Sequence, residues 1–381
     1  MKSVFLGFVI VLVLIVVCGS AQAYYAPAFT VDELLTQSTV VVVGRIADIG
    51  PGVAQARRKF SSRDAPTYPP VPVWVRPAAV DAVSVLKGQG LKPGNWLRVL
   101  LTEQRGNCPG WDFPHYAIDE HRLFFLEQTK DGLEPTEPLW VRDATVLPDG
   151  VLLSPVDGTP LEEAERLFAR ALQGYCNDPP RVKEILRVLY PFTRAARPAS
   201  VPPVLKTGPA DQELRFTTRD LLQAVVLVLD SADSTVREKA ARLLCSVGYV
   251  PALERMAAII RAKARAGQDV GGTMCGIEVF HNPQGLSELH RLLFDPEVPA
   301  LRQGAAFALA NIKSERSLSL LIRALADAEP DVRWEVAASL ARMTGLYEHV
   351  FNRDEFKANE AAEIEFWSSW WNANASRFTN K

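Results

Sequence analysis

At 381 residues the chain is longer than a single hydrophobic core usually fills, so two or three structural units are expected. Its 48% hydrophobic and 23% charged residues, with a formal net charge of −2, describe an ordinary globular composition. That balance excludes bulk attraction to nucleic acid or to an anionic membrane, and neither is expected as a partner.

The N-terminus has the layout of an export signal. Lys2 precedes an apolar run from Val4 to Val17, and Ala21-Gln22-Ala23 sets small residues on both sides of one position. This predicts a signal peptide over 1–23, cleaved after Ala23, and a mature chain in the periplasm, outside the cell or at its surface. Lipid attachment at Cys18 is the alternative, although Val17 stands where such signals want a small residue. No later stretch is apolar enough over enough residues to span a membrane.

Four cysteines follow: Cys108, Cys176, Cys245 and Cys275. An even number in an exported chain permits disulfides, in any of three full connectivities. Pairing inside each unit joins Cys108 to Cys176 and Cys245 to Cys275; buried thiols are the alternative. None of the spacings is Cys-x-x-Cys and the histidines supply no second ligand pair, so no metal is expected.

In chain order, Val31 to Gln37 suits a short helix, and Ser38 to Ile49 a buried strand of β-branched residues. Gly50 to Pro72, rich in proline, serine and arginine, is predicted to be a loop whose Arg57, Arg58, Lys59 and Arg63 are solvated. Strands are expected over Val73 to Leu86, Trp96 to Leu101 and His121 to Gln128. A hairpin turns at Pro148-Asp149-Gly150, with Ala144 to Leu147 leading in and Val151 to Ser154 leading out. A helix over Leu161 to Gln173, started by Thr159 and Pro160, closes the unit. Uneven strands and one helix suit a small OB-like β-barrel over 24–176.

Three stretches carry a resemblance: Ser38 to Ile49, Ala79 to Gly88 with its Val85-Leu86-Lys87-Gly88 end, and Arg122 to Glu127. They resemble bacterial exported barrels related to tissue inhibitors of metalloproteinases and to netrin modules. In the animal inhibitors an N-terminal cysteine chelates the protease metal. Tyr24 is the expected mature start here, so that mechanism does not carry over.

Residues 177–217 form a proline-rich linker, with one short helix over Arg181 to Tyr190 and a patternless run from Pro198 to Pro209. From Thr218 the pattern is helical. Leu301, Arg302, Ala305, Ala306, Leu309 and Ile312 recur thirty-one residues later as Val332, Arg333, Val336, Ala337, Leu340 and Met343. Val236, Arg237, Ala240, Ala241, Leu244 and Val247 repeat the spacing about two periods earlier. Helix pairs of this period resemble HEAT repeats, over 218–350. Between the copies, Asp269 to Cys275 is too glycine-rich for a good helix, so that repeat is expected to be broken or degenerate. Residues 351–381 then supply an aromatic capping helix, with Phe356, Ile364, Trp367, Trp370 and Trp371 on one face; a sugar or peptide platform is the alternative use.

Arg237, Arg302 and Arg333 are expected to form a structural ladder with acids of neighbouring repeats, among Asp230, Asp295, Asp327 and Asp331. The polar set with most chemical potential is Asp112, His115, Asp119 and His121, in a loop without a known ligand spacing. His281 and His290 stand singly. No nucleophile-base, phosphate-loop or metalloprotease motif is present, so no catalytic residue and no cofactor is assigned. The fold expected is multidomain β + α, a barrel followed by an all-α solenoid. Its function is a non-catalytic scaffold that binds a protein or peptide on the solenoid. The alternative is a protease inhibitor or carbohydrate-active accessory protein using barrel loops or the Trp cluster.

Overall fold

A computed structural model describes residues 31–57, 71–104, 116–135, 144–147, 158–189 and 216–379. The signal region, Cys18, Cys108, Asp112, His115, the outgoing hairpin strand and the proline-rich run lie outside these.

Helix α1 (Val31–Gln37) leads into seven strands: β1 (Val40–Ile49), β2 (Val53–Arg57), β3 (Val71–Lys87), β4 (Trp96–Gln104), β5 (His121–Gln128), β6 (Leu133–Pro135) and β7 (Ala144–Leu147). The order β1-β3-β4-β6-β5 closes through β1–β5 pairing into a five-strand barrel. Alternation sorts the side chains. Val40, Val42 and Ile46 of β1, Val80 and Ala82 of β3, Val99 and Leu101 of β4 and Phe124 and Leu126 of β5 fill the interior. Val41, Val43, Leu123 and Phe125 face outward, into a second core shared with the helices.

The Val85–Gly88 corner has a physical role. Lys87 Nζ donates to the carbonyls of Leu35 at 2.6 Å and Thr36 at 3.2 Å, satisfying the open C-terminal end of α1. Gly88, at φ +150°, ends β3 in a conformation other residues rarely adopt. Two corrections concern the sheet. The stretch expected as loop from Gly50 contains β2, because β3 runs past the end of β1 and Val71–Val75 need a partner; β2 supplies it. The three-residue β6 carries too little pattern to be read from sequence, yet it bridges β4 and β5.

The helical part is α2 (Pro160–Gly174), α3 (Pro179–Leu189), α4 (Arg219–Leu227), α5 (Ser234–Ser246), α6 (Pro251–Arg265), α7 (Gly271–Glu278), α8 (Leu286–Leu292), α9 (Pro299–Ile312), α10 (Leu318–Ala324), α11 (Pro330–Thr344), α12 (Arg353–Asn374) and α13 (Ser376–Thr379). The stack starts earlier than its periodicity suggests. Helix α2 packs on α4 and α3 on α5, while both also pack against the barrel strands, so the helix that closes the barrel is at the same time the first of a helix pair. Val182, Ile185, Leu186, Val188 and Leu189 of α3 are all buried, which no free linker helix could afford. From there α5, α7, α9 and α11 pack successively as the layer of second helices.

Glycine-rich α7 is a short helix of 8 residues, so the middle repeat is formed. One of its glycines has a packing use: a Cβ on Gly276 would lie 2.5 Å from Met256 Cε, so a larger residue there would have to displace the Met256 side chain of α6. Capping boxes start α2 at Thr159 and α12 at Asn352.

Candidate protein-binding face

Two sets of polar contacts tie successive repeats together. In the first, a cation reaches an acid of a following element: Lys183 to Asp233 at 2.8 Å, Arg261 to Asp295 at 2.9 Å, and Arg302 to Asp327 through both Nε (2.7 Å) and Nη2 (2.8 Å). Arg333 pairs with Glu360 of the cap. The arginines also close their own turns: Arg237 donates to the carbonyls of Ser231 and Ala232, Arg302 to Asp295 and Arg333 to Asp327 and Ala328. Arg237 thus sits in the repeated position, while Lys183 of the preceding helix takes the acid. Asp230 and Asp331 pair instead with Arg255 and Arg353.

In the second set, side chains bond to backbone carbonyls of the preceding repeat. Asn282 donates to Gly248, Asn311 to Glu278 and Ser339 to Ala306, at 2.8, 2.8 and 3.0 Å. On α11, Arg342 bonds Glu335 and Ser339 while its guanidinium lies 4.4 Å from the centre of the Phe307 ring on α9. These ties fix the spacing of successive helices and so the shape any partner meets.

Burial pushes the Asp327 carboxyl up, but the Arg302 hydrogen bonds and the Glu329 amide outweigh it and hold the group below the ordinary aspartate range. A lowered folded pKa gives stability that is present above the unfolded value of about 3.9 and lost as pH falls through the folded one. Asp327→Asn is therefore expected to cost about 1–3 kcal/mol at pH 7. In urea melts the gap from the native chain should narrow below pH 4; a gap independent of pH would deny the ion pair this role.

Sequence reasoning did not find the polar joint between barrel and stack. Glu165 of α2 is buried, and its carboxylate accepts from the amides of Thr217 and Thr218 and the Thr218 hydroxyl, at 2.6–3.0 Å, capping α4. Arg122, 1% exposed, bonds Glu120 at 2.6 Å and lies 3.6 Å from Glu184 of α3, with its guanidinium over the Tyr116 ring. Arg181 of α3 completes the set on Glu120 at 2.9 Å. An acid on the apolar face of α2, in phase with Leu161 and Phe168, was the available signal for Glu165.

The remaining singled-out residues are dispersed. His121 begins β5 opposite Arg45, and exposed Asp119 reaches Arg45 at 3.5 Å. His290 bonds the buried Ser317 hydroxyl at 2.9 Å, and His281 faces the Val279 carbonyl. Trp367 is wholly buried, whereas Trp370 and Trp371 pack against Phe378, so the three do not form one open platform. The expected Cys245–Cys275 bridge is corrected: the two sulfurs are not joined. Cys245 is buried in the apolar core, and Cys275 Sγ lies 3.7 Å from the Gly271 carbonyl of its own helix. Burial pushes the Cys245 thiol up, far from the reactive range. Iodoacetamide should accordingly spare Cys245 in the native chain and modify it after denaturation without reductant, as read by peptide mass; protection persisting in denaturant would restore the bridge.

Among the described residues no group of His, Cys, Asp and Glu gathers into a metal-binding cluster, and no helix is long and apolar enough to cross a membrane. A family model for HEAT repeats matches residues 273–345, which run from α7 to the end of α11. No curated protein matches the chain. The fold and this match define a β-barrel joined to a HEAT-like α-solenoid.

Proposed function

We propose that the chain is an exported, non-catalytic scaffold that holds a protein or peptide partner on the second-helix layer of its solenoid. The observation that carries the reading is the ladder-locked stack of α3, α5, α7, α9 and α11, coincident in part with the HEAT match. Stacked helix pairs present an extended preorganised surface, and HEAT repeats commonly serve protein interaction. Lys2, the Val4–Val17 run and Ala21–Ala23 support export. Kinship of the barrel with tissue-inhibitor and netrin-like modules belongs to the same proposal, supported by the closed five-strand barrel and its Val85–Gly88 corner.

The test places a photo-crosslinking residue at half-exposed Gln303 on α9, or at exposed Ala361 on α12 as control, in the full chain mixed with a bacterial envelope fraction. A protein adduct formed from Gln303 and not from Ala361 is expected. Adducts from neither position, or equally from both, would overturn the solenoid reading.

A further inference from the structure

Paired residues of adjacent antiparallel strands share a face, so register shows which side chains form a row. On the outer face of the barrel, beyond the part covered by helices, Arg45 pairs with Asp81 and Asp81 with Trp96. The neighbouring row runs Asp48, Ala79, Arg98. Inward-facing Val80 and Leu97 separate the rows along β3 and β4, and on β1 a bulge between Ile46 and Asp48 brings Asp48 to the side of Arg45, so all six residues share one face.

The result is a patch in which the small Ala79 lies among an indole, two guanidinium groups and two carboxylates. Strand spacing makes it about 10 Å across three strands and about 7 Å along them. Trp96 is 62% exposed, unusual for the largest apolar side chain. The charges alternate instead of accumulating: Arg45 lies 3.8 Å from Asp81 and 3.5 Å from Asp119.

We propose that this face is a binding platform for a neutral saccharide. A sugar ring has an apolar C–H face that stacks on an indole, and hydroxyls that both donate to carboxylates and accept from guanidinium groups. An alternating set of charges suits such a ligand, because a polyanion would meet Asp48, Asp81 and Asp119, and a polycation Arg45 and Arg98. The platform is separate from the solenoid face, and its test is independent of that reading.

The full chain is incubated with insoluble cellulose, chitin and xylan and titrated with cellohexaose and chitohexaose. Retention on at least one polymer is expected, weakened at least tenfold by Trp96→Ala and by Asp81→Asn, with Arg98→Ala as a third variant. The exposure of Trp96 predicts unchanged thermal melting for Trp96→Ala. A neutral ligand also predicts binding that is constant between low and high salt. Absence of retention on every polymer, retention indifferent to Trp96→Ala, or affinity collapsing with salt as for a charged partner, would each overturn the proposal.

Discussion

Arg122→Ala is expected to be among the most damaging single substitutions in this chain, lowering stability by about 3–5 kcal/mol, the usual cost of removing one member of a buried ion set. The reasoning is specific. Arg122 is sealed at the end of the barrel, and its loss leaves Glu120 without its shortest ion pair and Glu184 without the Arg122 contact. Burial raises the Glu120 carboxyl, but Arg122 and Arg181 outweigh it and hold it below its ordinary range. Without Arg122 that balance shifts toward the protonated acid. Urea denaturation should show the loss at pH 7, and adding Glu120→Gln should recover part of it, because the orphaned charge is then gone. A double variant as unstable as the sum of its singles would mean that packing over Tyr116, not charge, is what Arg122 provides.

Trp367→Ala is expected to cost a similar amount, about 3–5 kcal/mol, through the cavity left by a fully buried indole. Its ring meets His349, Phe366 and Trp370 edge-on, at 5.7, 5.1 and 5.9 Å between centres. His349 itself stacks on Phe366 at 3.7 Å and bonds Glu363 at 3.0 Å. The damage should therefore spread through the cap. Hydrogen exchange should show faster amide exchange in α12 and α11 while β1 to β5 stay as protected as before. Equal loss of protection in the barrel would indicate that the chain unfolds as one unit.

Much of the solenoid was legible because its information is local and repeated. A face recurring at Leu301, Ala305 and Leu309 and again at Val332, Val336 and Leu340 needs no knowledge of distant residues. What escaped was set by tertiary context. Gly276, which lowers helix propensity in α7, lies against Met256 of α6. Prolines on either side of α3 made it look like a connector, while its apolar face was already in helical phase. Strand β2 is weak by itself and exists because β3 is long. The polar joint was least legible: Glu165 and Thr217 are 52 residues apart, and Arg181 and Glu120 61, so no local pattern links them.

The outward-facing core beneath α1 and α2 has a further consequence. A stack of helix pairs leaves an apolar surface at each end, and both must be closed. Here the two closures are of different kinds: α12 ends one side, while the barrel wall itself covers the first helix pair at the other. Number is thus not fixed at the ends but in the middle. Duplicating the thirty-one residues from Pro299 to Glu329 would present a second Asp327 to a second Arg302 and a second Asn311 to the carbonyl of the copy before it. The molecule is built so that it can change its reach in whole steps while keeping both terminations, a ruler whose graduations are interchangeable and whose end-stops are not.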